Sequence, residues 1–152
     1  MSRPLYETGA DRQNEQAVAR ALEKRWGYVA HKLKPACEMD YALTRDGVVV
    51  AVMEIKCRKY PYKTIDEWGG LILSAHKWQA AMRWKETHSI AFILALGLPD
   101  GLYVLSVLKD DKAPHVNLVM GGRTDRNDPQ DTEPCVLIPM PMFKMVKDGS
   151  GG

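Results

Sequence analysis

Glu54-Ile55-Lys56 sets a carboxylate and an ammonium two residues apart at the end of the run Val48–Cys57, whose other members are all apolar. In an extended strand, residues i and i+2 share a face, so the two charges project together. Charge in a buried strand is costly unless a partner offsets it; a frayed strand end would instead let both groups reach water. Asp40 precedes Glu54 with thirteen residues between them. Two carboxylates that converge repel each other unless a proton or a cation sits between them, and oxygen-only ligands suit Mg²⁺ or Mn²⁺. Glu15 is a third candidate acid. It leads Val18, Leu22 and Trp26 by three, seven and eleven residues, which puts it on the apolar face of a helix. There it would help neutralise a metal or hold its water. The alternative is a first-turn glutamate favoured by the helix dipole.

Whether Asp40 meets Glu54 depends on strand register. Two strands, over 38–44 and Val48–Cys57, flank Asp46-Gly47, a strong turn signal. A two-residue turn pairs Asp40 with Met53 and points it away from Glu54. A three-residue loop, Arg45-Asp46-Gly47, needs a left-handed last residue, which Gly47 supplies. It sets Thr44 opposite Val48, Asp40 opposite Val52 and Glu38 opposite Glu54. Asp40 and Glu54 then become diagonal neighbours on one face, and Glu38 becomes either a further acid or a surface charge at the strand start. In the second strand, Val48, Val50 and Val52 face one way; Val49, Ala51, Met53 and Ile55 face the other. Apolar residues on both faces predict a central strand.

The elements that must hold these residues follow from pattern and punctuation. Residues 10–26 read as a helix stopped by Gly27, and 28–33 as a short strand. A loop containing Pro61 and Gly69-Gly70 leads to a helix over 74–86, with Ser74 as its N-cap and Trp78, Ala81 and Met82 as its buried stripe. Strands follow over 89–96 and 102–108, around the turn 99–101. The polar stretch 121–134 reads as a long mobile loop, and 135–145 as a closing edge strand limited by Pro139 and Pro141. Residues 149–152 read as a flexible tail. The expected fold class is α/β (α+β), a central mixed β-sheet flanked by helices.

The 152 residues, 45% apolar and 26% charged, suit one domain over 1–148. No apolar stretch approaches the ~20 residues that span a bilayer, and the polar start carries no secretory signal. Cys37, Cys57 and Cys135 form no C-x-x-C; the expected compartment is the reducing cytoplasm. Net charge is +2, divided as +4 over 1–99 and −2 beyond. The basic excess peaks at Lys56, Arg58, Lys59 and Lys63, interleaved with Tyr60 and Tyr62, a phosphate-facing pattern. Lys77, in the first turn of the second helix, is another candidate phosphate contact, while His76 beside it reads as a solvated first-turn residue. Trp68, beside Gly69-Gly70, reads first as a core or hinge aromatic and only second as a base-stacking one. Arg123 and Arg126 could reach nucleic acid, but Asp125, Asp128, Asp131 and Glu133 offset them.

A helix with an inward Glu, a strand with Asp, a hairpin, a strand ending Glu-x-Lys and a further helix resemble the PD-(D/E)XK nuclease superfamily, the restriction-endonuclease-like fold. The likeness covers residues 10–97, with Met39 rather than proline before Asp40. It implies that Asp40 and Glu54 ligate Mg²⁺ or Mn²⁺ together with the backbone carbonyl of Ile55, that Lys56 is the catalytic lysine, and that Glu15 is the first-helix acid, acting through water. It further implies a DNA nuclease, and the compact size points to an endonuclease, acting on duplex or branched DNA in a bacterial or phage-infected cell, with homodimers common. The chemistry suits the residues: phosphodiester hydrolysis needs phosphoryl charge offset and a water deprotonated, and a lysine can stabilise the developing charge.

Other chemistries lack their residues. His31, His76, His88 and His115 are scattered, with no zinc spacing. There is no G-x-x-x-x-G-K-[ST] for a nucleotide cofactor and no G-x-S-x-G. The remaining alternative is a catalytically silent nuclease-like fold serving as a nucleic-acid-binding or assembly module.

Overall fold

Gly27, at φ 77°, stops the first helix where the sequence places the stop, and its N–H donates to the Glu23 carbonyl. The structure, a computed structural model, describes residues 9–122 and 132–146. Helix α1 (Gly9–Trp26) leads into β1 (Val29–Lys32), and the two are tied where Arg20 donates to the Ala30 carbonyl and Glu23 accepts the Ala30 N–H. The hairpin β2 (Tyr41–Arg45) and β3 (Val48–Cys57) follows, then the short helix α2 (Tyr62–Glu67), β4 (Leu71–Ser74) and α3 (Ala75–His88). The rest of the described chain is β5 (Ala91–Leu98), β6 (Gly101–Val107), β7 (Asn117–Gly122), β8 (Thr132–Ile138) and β9 (Lys144–Val146).

Six strands form one sheet in the order β1-β2-β3-β5-β6-β9, mixed because only β3 and β5 pair in parallel. β3 is central, as its two apolar faces require. On one face, α1 packs Ala19 and Leu22 over Tyr41, Leu43, Met53 and Ile55. On the other, α3 packs Trp78, Ala80 and Ala81 with Val52, Phe92, Leu94 and Leu96. A second sheet, β4-β8-β7, adds Leu73, Val136 and Ile138 to this second core.

The hairpin register is neither of the two alternatives. Arg45 pairs with Val48 across a two-residue turn, with Asp46 at φ 53° and Gly47 at φ 77°. The register then slips between Leu43 and Thr44, because Val49 pairs with Thr44 while Ala51 pairs with Leu43, leaving Val50 as the extra residue of a β-bulge. Val50 consequently packs with the α1-side cluster, although Val52 belongs to the α3 side. Tyr41 ends up opposite Met53, and Asp40 moves one position further along β3 than an unbroken two-residue hairpin would carry it.

Other expectations need correction. The strand expected over 38–44 starts only at Tyr41, because Pro35–Cys37 form a 3-10 turn and Glu38 sits at φ 57°. The presumed loop between Pro61 and Ser74 contains α2 and β4. Residues 121–122 and 132–134 belong to β7 and β8 instead of a loop. β8 is the middle strand of its sheet; Pro139 and Pro141 come after it, the first before and the second within a 3-10 turn over Met140–Met142. Arg123, Arg126 and the tail 149–152 lie outside the described residues. No helix among the described residues is long and apolar enough to cross a membrane.

Candidate active site

Asp40 is stitched between two strands by its backbone. Its N–H donates to the Met53 carbonyl at 3.1 Å, and its carbonyl accepts the Leu33 N–H at 2.9 Å. β2 begins at the next residue, so β3 runs on past its partner, and the Ile55 N–H has no ladder carbonyl opposite. The Asp40 carboxylate takes that place: Oδ2 accepts the Ile55 N–H at 2.9 Å. In an extended strand a residue's C=O points to the same edge as its N–H, so the Ile55 carbonyl opens toward this side as well.

Glu54 is 1% exposed on the α3 face of β3. Burial is the main influence on its carboxyl and pushes the pKa up; Lys56 pulls it down, Asp40 pushes it up and Lys77 pulls it down. The ion pairs are short: Lys56 Nζ lies 3.2 Å from Oε2 and Lys77 Nζ 3.5 Å from Oε1. The i, i+2 spacing puts Lys56 beside Glu54, and Lys77 arrives from the first turn of α3. Lys77 also donates to the Glu38 carbonyl.

Glu15 is half-buried on α1 and meets the group through Lys32, whose Nζ is 3.5 Å from Glu15 Oε1 and 4.0 Å from Asp40 Oδ1. Glu38 turns to α3, where Arg83 lies 3.3 Å and His76 3.8 Å from its Oε2. The α3 cations therefore grip the 35–40 segment that carries Asp40. Sequence spacing offers no signal for that grip, which joins residues 45 apart in the chain. Arg58, Lys59 and Lys63 are exposed beyond β3 and do not enter the Asp40–Glu54 group.

Among the described residues, no three His, Cys, Asp or Glu side chains gather closely enough to hold a metal ion by themselves. The available set is two carboxylates and one peptide carbonyl. It fits a hard divalent ion that keeps several waters or takes substrate oxygens. The charge balance agrees, because a cation there would act on buried Glu54 in the same direction as the two lysines.

The family described as "Phage putative PDDEXK endonuclease" matches residues 1–146. The chain belongs to this endonuclease family. No curated protein matches it. Among solved structures, the PDDEXK endonuclease is similar to the Archaeoglobus fulgidus Hjc, a Holliday junction resolvase from an archaeal hyperthermophile. The identity is 15%, the TM-score 0.55, and the match covers 91% of this chain and 93% of the other. At that identity the likeness establishes the fold, a restriction-endonuclease-like mixed sheet with few helices.

Proposed function

We propose that this PDDEXK endonuclease hydrolyses DNA phosphodiester bonds with a divalent metal ion, Mg²⁺ or Mn²⁺, held by Asp40, Glu54 and the Ile55 carbonyl. The observation that carries the reading is the capping of the Ile55 N–H by Asp40, which brings a second carboxylate to the peptide that follows buried Glu54. A bound divalent ion offsets phosphoryl charge and lowers the pKa of a water. Lys56, partly exposed at the edge of this group, orients that water or stabilises the charge that develops on the phosphate. Glu15 acts at one remove, through Lys32 and water. Arg58, Lys59 and Lys63 bear on the DNA backbone, and Lys77 shifts between Glu54 and a substrate phosphate. The domain comprises 1–148 and works on DNA as a monomer or a homodimer.

The fold shared with a Holliday junction resolvase makes a four-way junction a substrate to include. The test incubates the protein with supercoiled plasmid, linear duplex, single strand, flap and four-way junction, with Mg²⁺, Mn²⁺ or chelator. Cleavage of at least one DNA form with metal, absent with chelator and in Asp40→Ala and Glu54→Ala, is the expected result. The ion pairs of Lys56 and Lys77 favour the second reading, a silent binding module, because they already compensate Glu54 without metal. Metal-independent DNA binding with no cleavage of any form would establish that reading instead.

A further inference from the structure

Past Cys57 the chain makes an excursion and rejoins the sheets at Gly70. It is fixed along its length. Arg58 N–H donates to the Gly97 carbonyl at 2.9 Å, and Tyr62 N–H to the Asp100 carboxylate at 3.2 Å. Ile65 is buried, and its carbonyl accepts both Trp68 N–H and Gly70 N–H at 3.1 Å. Gly70, at φ 139°, lies so close to β8 that a Cβ would stand 2.3 Å from the Ile138 carbonyl oxygen.

This anchored segment nevertheless holds two aromatic side chains in water. Tyr60 is 41% and Trp68 60% exposed, and they meet edge to face with ring centroids 4.9 Å apart. Exposed cations Arg58, Lys59 and Lys63 lie within three residues of Tyr60 in the chain, and the exposed acids Asp66 and Glu67 directly precede Trp68 at the end of α2. Tyr60, Arg58 and Lys59 also line a groove of about 700 Å³ that runs to Asn14 on α1, one residue from Glu15. Rigid aromatic faces among backbone-directed cations are the physical makings of a site for stacked nucleobases. A duplex keeps its base faces inside its own stack, so only unpaired bases can use them.

We infer that Tyr60 and Trp68, with Arg58, Lys59 and Lys63, form a stacking platform for unpaired nucleobases of the DNA substrate. This deepens the proposed nuclease reading and rests on it: the preferred substrate carries a single-stranded stretch beside the phosphate to be cut, as at a flap, gap or end. Because the platform is held by its own backbone, little ordering cost opposes binding.

The test is fluorescence anisotropy in EDTA, with a labelled 20-nucleotide single strand and the matched duplex. The single strand should bind more tightly. Trp68→Ala and Tyr60→Ala should each weaken it about ten-fold and leave the duplex within about two-fold; Trp68→Phe should keep most of the affinity, and Lys59→Ala should weaken both forms alike. Thermal melts check that each variant folds. Equal affinity for the two forms, or an equal loss on both in Trp68→Ala, would overturn the proposal. So would a wild-type oligomer that Trp68→Ala converts to monomer, which would make the aromatic pair a protein contact. No metal is needed here, so absent cleavage with stacking intact counts against the nuclease reading alone, and cleavage with no stacking effect counts against the platform alone.

Discussion

Asp40 accepts the N–H of Ile55 at 2.9 Å, so its carboxylate caps the peptide that joins Ile55 to Glu54. One extra residue in β3 lies between this contact and the turn. With the bulge at Val50, Tyr41 pairs with Met53, and the residue before Tyr41 reaches the next free amide of β3. A bulge of this kind re-aims a side chain at the cost of one unpaired residue.

Deletion of Val50 should close the bulge and still leave Tyr41 opposite Met53, because it removes the one residue that the slip skips. Asp40 should then keep its reach to the Ile55 N–H, and cleavage should survive while Tm drops only modestly, because Val50 is partly buried at the rim of the α1-side cluster. Loss of cleavage in a deletion variant that still folds would show that the bend the bulge gives β3, and not register alone, aims the carboxylate.

Metal should be readable without substrate. A ligand that binds only the folded state stabilises it by mass action, so millimolar Mg²⁺ or Mn²⁺ should raise Tm in differential scanning fluorimetry. Asp40→Asn keeps the shape, removes a charge and should abolish the shift. An equal shift in wild type and Asp40→Asn would place the ion elsewhere.

Lys56→Met should lower kcat by about 100-fold or more while changing DNA affinity only a few-fold, since one phosphate contact among several is worth little. Single-turnover kinetics beside anisotropy separate the two. Loss confined to affinity would reduce Lys56 to an electrostatic contact.

In chelator, Glu54 should impose a pH dependence on stability. Its carboxyl is raised above the ordinary value of 4.5, chiefly by burial, so the folded state holds the proton more tightly than the unfolded chain does. Stability from this group is then full at and below the ordinary glutamate range and is lost as pH rises through the raised value. Glu54→Gln cannot ionise, so its Tm advantage over wild type should grow from pH 4.5 toward neutrality. A constant difference across that range would mean that Lys56 and Lys77 neutralise the buried charge fully.

Much of the large sheet could be read from the chain. The valine-rich run of β3, the Asp46-Gly47 turn and Gly27 each act through local backbone preference, and Glu54 and Lys56 share a face by strand geometry alone. The bulge could not be read. Turn chemistry sets the first pair, Arg45 with Val48, but the slip two pairs later answers to packing against α1. The small sheet escaped for a related reason: β4 is four residues long and is stabilised by β8, far along the chain. Lys77 was legible as a helix-start cation, yet its partner Glu54 depends on how α3 crosses the sheet.

The parallel register of β3 and β5 and the local closure of the β2–β3 hairpin imply an order of assembly. Asp40 and Ile55 are 15 residues apart, whereas β4 must find β8 through a pairing of Leu71 with Ile138. Loop entropy favours the shorter closure, and distant pairings are slow. The carboxylates should thus come together early in folding, before α3 delivers Lys77 to oppose them. For that interval Lys56, on the same strand, is the counter-charge that Glu54 already carries, and a divalent ion present during synthesis would add to it as the two acids are buried.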